Sequence, residues 1–268
     1  MTKLDNHELQ AFWDLAGSQV KMKALEIALS RSLFDVLREP CSAEEVADKL
    51  AFPSTNINGW LDLLWSIGCV DKVADNKYLA STLAKRYMTT TSSLDCSQAL
   101  QFRCPTLRHF TEQFEALLHM PKNGAVLSSS MGPLWAKAAK AQIFQEQRAV
   151  TVPALNRIFD TLLKVTIAEE TPLNFLDLGG GPGLVTLSLA QRFPNATGVL
   201  FDFPETAQVA QENVLAESLE HRIDVQSGDL NQQLPNGQFD LIWCSSVLHF
   251  LDDANAVIQG LATLLKPN

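Results

Sequence analysis

The sequence has little of what several classes of protein require. Basic residues are outnumbered by acidic ones, giving a net charge of −9 over 268 residues, whereas phosphate-binding proteins need a basic surface. We therefore expect no nucleic-acid partner. No stretch approaches the roughly 18–20 apolar residues of a membrane span. The first seven residues also lack the apolar core of a signal peptide, so we expect no membrane association.

Cysteine is scarce and scattered. None of the five cysteines forms a Cys-x-x-Cys pair or has a histidine-rich neighbourhood. An odd number of dispersed cysteines is typical of reduced thiols and not of a disulfide framework or a zinc site. We therefore expect a cytoplasmic protein without a bound metal. The cysteines are Cys41, Cys69, Cys96, Cys104 and Cys244.

What the sequence does contain is a short apolar segment followed by a run of glycines, over residues 174–183. Phe175, Leu176 and Leu178 are too few for a helix and suit a buried strand. Four glycines and a proline fill the next five positions, and a helical pattern of leucines begins at Leu184. This order of strand, glycine turn and helix is the setting in which a glycine motif binds a ligand.

The spacing of the glycines identifies the type of turn. A dinucleotide fingerprint needs Gly-x-Gly-x-x-Gly, but its third glycine would fall at Leu184. The residues fit Asp-x-Gly-x-Gly-x-Gly instead, formed by Asp177, Gly179, Gly181 and Gly183. Glycines let a ligand approach bare backbone, and the acid favours a ligand with a cation or donors nearby. The alternative is a glycine-rich turn in another doubly wound domain.

Residues 177–183 resemble motif I of the class I S-adenosylmethionine (SAM) methyltransferases. A second predicted strand, over residues 197–202, ends in Asp202, which lies 19 residues after Gly183 (202 − 183). This matches the spacing of about 20 residues for an acid that accepts hydrogen bonds from ribose hydroxyls. The alternative for Asp202 is a surface turn acid ahead of Pro204.

A third strand is predicted over residues 223–230 and ends in Gly-Asp-Leu. The resemblance implies that Asp229 lies near the adenine amino group and that Leu230 lies against the adenine ring. It assigns the SAM contacts to residues at the ends of the predicted strands: Asp177, Gly179, Gly181, Gly183, Asp202, Phe203, Gly228, Asp229, Leu230 and Ser245.

A fourth strand, predicted within residues 239–249, leads to His249 and an acidic helix start. This run resembles small-molecule O-methyltransferases of the plant and bacterial type, in which the histidine is the general base. An imidazole titrates near neutral pH and can take the proton of an attacking hydroxyl. The sequence departs from the family at Phe250, where Asp is common, and at Ser245, near which Lys or Arg is common. A pocket-lining or structural role for His249 is the alternative.

The N-terminal third predicts helices followed by a hairpin. Helical periodicity covers residues 8–17 and 19–37, a capping box at residues 42–45 begins a short helix, and another helix covers residues 54–67. A hairpin is predicted over residues 69–79. This order resembles the winged-helix-like domain with which these O-methyltransferases dimerise. The DNA-binding alternative is disfavoured because the would-be recognition helix contains no Lys or Arg.

Two further helical stretches are predicted in the middle of the chain. One begins at Thr106, and the other covers residues 135–163 with an interruption at Pro153. The resemblance implies that this part links two domains and lines the substrate pocket, while ordinary core packing is the alternative. The candidate lining residues are Trp135, Ile143, Phe144 and Phe159.

The predicted fold is α/β with three parts. A winged-helix-like dimerisation domain covers residues 1–105, linker helices cover residues 106–169, and a Rossmann-like SAM-binding domain covers residues 170–268. The last domain supplies four strands where the resembled family has seven, which would leave an exposed apolar edge. The explanations are a gene product that continues past Asn268, an edge covered by another subunit, or a truncation that has lost catalysis; we favour the first.

The expected function is methyl transfer from SAM to a hydroxyl of a small metabolite, for which we expect an aromatic compound. We expect the protein to act as a homodimer. Two alternatives stay open. One is a relative that binds SAM without methylating, and the other is a non-enzymatic dimeric binding or scaffold protein.

Overall fold

A computed structural model describes residues 7–119, 132–163 and 168–267. The chain divides into two compact units, Met1–Phe114 and Glu115–Asn268. Each unit has a hydrophobic core of its own. Among the described residues, no helix is both long enough and apolar enough to cross a membrane.

The first unit consists of helices and one antiparallel hairpin. Its first helix, α1, runs without a break over Gln10–Ser30 where two helices were predicted, because an isolated glycine such as Gly17 is tolerated inside a helix. The predicted continuation to residue 37 ends early, since Ser32 adopts a left-handed conformation with φ 51°. The remaining elements are α2 (Leu33–Val36), α3 (Ala43–Leu50), α4 (Ile57–Ser66), β1 (Val70–Val73), β2 (Lys77–Ala80), α5 (Thr82–Tyr87) and α6 (Ser97–Glu112).

The capping box forms as predicted at the start of α3. The Glu45 amide donates to Ser42 Oγ at 3.2 Å, and the Ser42 amide donates to Glu45 Oε2 at 2.7 Å. These reciprocal bonds satisfy amide groups that have no partner within the helix.

The hairpin is tied to α4 by a polar cluster. The Tyr78 hydroxyl donates to the Asp62 carboxylate, and Lys72 Nζ lies 2.7 Å from Asp62 Oδ1. Lys72 also lies over the ring of Trp65, 4.6 Å from its centroid. Burial and the hydrogen bond to Asp62 raise the pKa of Tyr78 to about 12. Asp62 of α4 is therefore paired with Lys72 of the hairpin.

Helix α6 begins nine residues before the predicted start at Thr106 (106 − 97) and continues through Pro105. Buried Ala99 and Cys104 hold its first half in the unit, so tertiary packing outweighs the unfavourable proline. A short helix, α7 (Phe114–Leu118), follows.

In the second unit, one long helical stretch precedes the sheet. We call residues 132–163 the linker helix. Pro153 does not interrupt it, since the backbone stays helical on both sides of the proline, from Thr151 to Phe159. The successive turns are α8 (Gly132–Ala138), a π-turn (Ala139–Ile143), α9 (Phe144–Glu146), a π-turn (Gln147–Thr151), α10 (Val152–Ile158) and a π-turn (Phe159–Leu163).

Four parallel strands form the sheet of this unit, in the order β5-β4-β3-β6. Residues of β3 are buried in clusters on both faces of the sheet, as expected for a parallel sheet covered by helices. The Rossmann-like prediction is therefore confirmed. The strands are β3 (Asn174–Leu178), β4 (Thr197–Asp202), β5 (Ile223–Ser227) and β6 (Leu241–Cys244); α11 (Leu184–Arg192), α12 (Pro204–Ala216), a 3₁₀ turn (Leu248–Phe250) and α13 (Ala254–Leu264) connect or follow them.

Candidate active site

The carboxyl ends of β3, β4 and β5 lie side by side at one edge of the sheet. The strand register pairs Asp202 with Ser227. Backbone hydrogen bonds continue past the strands, from the Gly179 amide to Phe201 O at 2.8 Å and from the Gly228 amide to Asp202 O at 3.0 Å. The strand order reverses at β3, because β4 and β5 lie on one side of it and β6 on the other. Open α/β sheets bind ligands at such a switch point.

The glycine loop, residues 179–183, follows β3. Gly179, Gly181 and Gly183 adopt φ values of 64°, 59° and 86°, a region that side chains disfavour. A Cβ atom at Gly179 would also collide with Val247, in the segment after β6. Glycine is therefore favoured at these alternating positions because the backbone has positive φ values there, and at Gly179 also because no side chain would fit.

Asp202 joins the end of β4 to the glycine loop. Its Oδ2 accepts a hydrogen bond from the Gly181 amide at 2.8 Å, and its Oδ1 accepts one from the Phe203 amide at 2.7 Å. Burial raises the pKa of Asp202 to about 6, although both hydrogen bonds act to lower it. The structure thus brings Asp202, at the end of the second predicted strand, into direct contact with the glycine loop that follows the first.

Asp177 lies beneath the glycine loop and is 2% exposed. Its Oδ2 accepts hydrogen bonds from the Thr186 amide at 3.1 Å and from Thr186 Oγ1 at 2.7 Å. Burial, with a smaller contribution from the nearby charge of Asp202, raises the pKa of Asp177 to about 7, although the bonds from Thr186 act to lower it. The carboxyl group therefore holds the first turn of α11 and is not open to the crevice.

Asp229 follows β5, and its carboxylate bonds within its own turn. Oδ1 accepts from the Asn231 amide at 2.9 Å, and Oδ2 accepts from Gln232 Nε2 at 3.3 Å. Gly228 permits this tight turn, because a Cβ there would collide with neighbouring side chains. Leu230 is partly buried against the core on one face of the sheet.

His249 lies in the 3₁₀ turn after β6, at the same edge of the sheet, and is exposed. Its ring centroid lies 3.9 Å from that of Phe250, with the ring planes tilted by 42°. Phe250 also packs edge-on against Trp135 of the linker helix, at a centroid distance of 5.0 Å. Ser245 follows β6 and Phe203 follows β4, so both lie at this edge.

The other candidate lining residues of the linker helix differ in position. Ile143 lies against the glycine loop, since a Cβ at Gly181 would be 3.2 Å from Ile143 Cγ2. Phe159 is buried and packs edge-on against Phe193, with centroids 5.3 Å apart. Phe159 is therefore an ordinary core residue, which corrects its prediction as a pocket residue. The ring of Phe144 lies beneath the Arg148 guanidinium, 5.8 Å from the centroid.

Two residues at the glycine loop were not predicted. Gln147 Nε2 donates to Gly180 O at 3.0 Å, and its Oε1 accepts from the Leu184 amide at 3.0 Å. Asn213 Nδ2 of α12 donates to Pro182 O at 2.8 Å. These contacts join residues 31 to 37 positions apart, so no local sequence pattern marks them.

The part of the chain that the structure describes contains no candidate metal site. Within those residues, no three His, Cys, Asp or Glu side chains are grouped as a metal site requires.

Comparison with known families gives a match that covers the part of the chain that contains the parallel sheet. The family profile described as "Methyltransferase domain" matches residues 176–268. This range begins in β3 and includes the glycine loop, Asp202, Asp229 and His249.

Characterised relatives are similar to the chain over different lengths. It is 35% identical to the O-methyltransferase CTB2 of Cercospora nicotianae, over 38% of this chain and 23% of that protein. It is 23% identical to a mitomycin biosynthesis 6-O-methyltransferase of Streptomyces lavendulae, over 98% of this chain and 74% of that protein. The chain thus spans less than a quarter of the first relative and about three quarters of the second.

Solved structures share the fold of the chain. An O-methyltransferase family protein from Burkholderia thailandensis superposes with a TM-score of 0.74 at 21% identity, covering 98% of this chain and 78% of that one. Human N-acetylserotonin methyltransferase, solved in complex with SAM, gives a TM-score of 0.70 at 20% identity, covering 100% of this chain and 79% of that one.

Proposed function

We propose that this chain is a SAM-dependent methyltransferase of the small-molecule O-methyltransferase type, and that it transfers a methyl group from SAM to a hydroxyl of a small aromatic metabolite. One observation carries the proposal. The glycine loop, Asp202 and Asp229 follow three adjacent parallel strands and lie at one edge of the sheet, beside its switch point.

The side chains at this edge have the chemistry that an adenosyl cofactor needs. The carboxyl group of Asp202 can accept hydrogen bonds from ribose hydroxyls, and that of Asp229 can accept one from the adenine amino group. Asp177 acts indirectly, because its carboxyl group holds the helix that follows the loop. When bound, SAM supplies an electrophilic methyl group on its sulfonium. The proposed contact residues are Gly179, Gly181, Gly183, Asp202, Phe203, Gly228, Asp229, Leu230 and Ser245.

His249 is the proposed general base. Its imidazole takes the proton of the acceptor hydroxyl as the oxygen attacks, and the rest of the reaction depends on positioning. Trp135 and Phe250 form an aromatic surface next to this ring, which suits a flat acceptor. The named reaction of the mitomycin relative, a 6-O-methylation, supports a hydroxyl of a small metabolite as the acceptor.

We expect His249→Ala to lower kcat by about 100-fold or more, the usual scale for loss of a general base. The affinity for SAM should stay within about twofold of the wild type, because the imidazole is outside the proposed cofactor contacts. Steady-state kinetics and calorimetry measure the two effects. His109→Ala, at an exposed histidine of α6, is the matched control. Turnover that survives His249→Ala would remove this assignment.

Calorimetric titration with SAM and with S-adenosylhomocysteine tests the function itself. Binding of both ligands, followed by methylation of at least one compound in a panel of phenols, is the expected result. Binding without any methylated product would favour a relative that uses SAM for another purpose. If neither ligand binds at high micromolar concentration, the enzyme hypotheses fail and a binding or scaffold protein remains.

We further propose that the first unit forms a homodimer and does not bind nucleic acid. In α1, Phe12 and Leu15 are 69% and 70% exposed, and Trp13 beside them is also exposed. A helix with this much apolar surface in water is well suited to packing against a second copy of itself. Against nucleic-acid binding, both lysines of the hairpin are already paired with acids, Lys72 with Asp62 on α4 and Lys77 with Glu45 on α3. All five cysteines are free thiols, which supports a cytoplasmic location.

A further inference from the structure

We propose that Gln147 is a positioning residue that holds the glycine loop in the conformation that receives the cofactor. The inference rests on the proposed use of SAM. It concerns a residue of the linker helix, outside the sheet and outside the sequence motif.

The side-chain amide of Gln147 forms one hydrogen bond inside the glycine loop and one to the residue that follows it. Nε2 donates to the carbonyl of Gly180, inside the loop, and Oε1 accepts from the amide of Leu184, the first residue after it. Both distances are 3.0 Å, within the normal range for hydrogen bonds. Only a side chain that carries a donor and an acceptor together can make this pair of bonds, and Asn or Gln is the amide that does so.

The Leu184 amide needs such a partner because it begins α11. The first four amide groups of a helix have no intrahelical acceptor, and an N-cap side chain usually accepts from only one of them, at the second or third position. Here the N-cap is Gly183, which has no side chain to offer. Gln147 satisfies the Leu184 amide from another helix, and Asp177 satisfies the Thr186 amide from the strand below. The glycine motif thus transfers the capping role to residues outside the loop.

The geometry of the linker helix allows this contact. Gln147 begins a π-turn, and such turns are frequent at functional sites because they alter the direction of side chains. Ile143 and Gln147 both reach Gly181, at 3.2 and 3.4 Å from the position of a Cβ there. The other described side-chain bonds to the loop come from Asp202 of β4 and from α12. Gln147 therefore couples the loop to the helix that carries Trp135.

The substitution Gln147→Met removes both hydrogen bonds and keeps the length of the side chain. We expect the Kd and the KM for SAM to rise about tenfold, through the loss of two hydrogen bonds. We expect kcat to stay within about twofold, because bound cofactor itself orders the loop. Gln142→Met is the matched control, since that amide bonds to Glu146 of the same helix at 3.4 Å. It should leave both constants unchanged.

A second variant separates the two bonds. Gln147→Glu keeps an acceptor for the Leu184 amide and loses the donor to Gly180 O, so it should weaken SAM binding while the Leu184 amide stays protected from hydrogen exchange. In Gln147→Met the same amide should exchange at least about tenfold faster than in the wild type. This exchange is measured on the protein without ligand, so it reports on the hydrogen bonds of Gln147 independently of SAM binding.

The outcomes distinguish this inference from the proposed function. If the wild-type protein fails to bind SAM, the proposed function fails. Hydrogen exchange of the Leu184 amide still tests whether Gln147 holds the glycine loop. Wild-type SAM affinity in Gln147→Met, a fall in kcat at unchanged KM, or unchanged exchange of the Leu184 amide would each overturn the inference. If Gln147→Met does not fold, the Gln147→Glu affinity decides, and binding equal to wild type refutes a positioning role.

Discussion

At the scale of single residues, the site depends on two carboxyl groups that have different hydrogen-bond partners. Asp202 contacts the glycine loop directly, whereas Asp177 is buried below it and bonded to Thr186. The pKa of each is raised by burial, to about 6 for Asp202 and about 7 for Asp177. Two acids that looked alike in the sequence therefore have separate roles, one at the crevice and one in the support of the loop.

The raised pKa of Asp177 predicts how stability depends on pH. A carboxyl group whose pKa is about 7 in the folded protein, against an ordinary value of 3.8, stabilises the fold fully below about pH 4 and loses this contribution as the pH rises through 7. Lowering the pH from 8.0 to 5.5 should therefore add about 2 kcal/mol to the free energy of unfolding from this group. In Asp177→Asn, that share of the pH dependence should disappear.

Urea unfolding at the two pH values measures the difference. Asp48→Asn, at an exposed acid of α3, is the control and should keep the wild-type pH dependence. If Asp177→Asn shows the same change between pH 5.5 and pH 8.0 as the wild type, Asp177 does not titrate in this range.

At the scale of elements, the two units use different means to begin their helices. Helix α3 is capped by its own sequence, through the reciprocal bonds of Ser42 and Glu45. Helix α11 begins at a glycine and is capped from other elements, by Gln147 and Asp177. Local capping suits a helix that only stabilises a core, while remote capping leaves bare backbone at a loop where a ligand binds.

We expect Ser42→Ala to lower the free energy of unfolding by about 1 kcal/mol, the typical cost of removing an N-cap side chain. The loss should appear as a lower urea midpoint at an unchanged slope. Ser54→Ala, at an exposed serine of the 3₁₀ turn Ser54–Asn56 that precedes α4, is the control and should change stability little. An equal loss in both variants would show that the capping box is not the cause.

At the scale of the whole molecule, the exposed apolar side chains of α1 predict association. The double variant Phe12→Glu with Leu15→Glu places charges on that surface and should convert a dimer into a monomer, because buried unpaired charges are costly. Sedimentation velocity measures the change. Leu215→Glu, at an exposed leucine near the end of α12, is the control and should stay dimeric. A wild-type protein that sediments as a monomer at micromolar concentration would refute the proposed dimer.

Prediction from the sequence worked best where the information was local. The strand over Thr197–Asp202, the capping box at Ser42 and the glycine turn after β3 all follow from patterns within ten residues, and the structure has them at those positions. It failed where tertiary packing overrode a local signal. Helix α6 continues through Pro105, because the packing of its buried residues outweighs the unfavourable propensity of the proline.

The sequence by itself determined the order of strands and helices in the second unit and the positions of the glycines, since both depend on hydrophobic period and backbone conformation. Only the tertiary structure decided which acid faces the crevice, that Phe159 belongs to the core, and that Gln147 reaches the glycine loop. The last two facts depend on contacts between residues more than thirty positions apart. Their geometry is set by the packing of the linker helix on the loop, which no local pattern encodes.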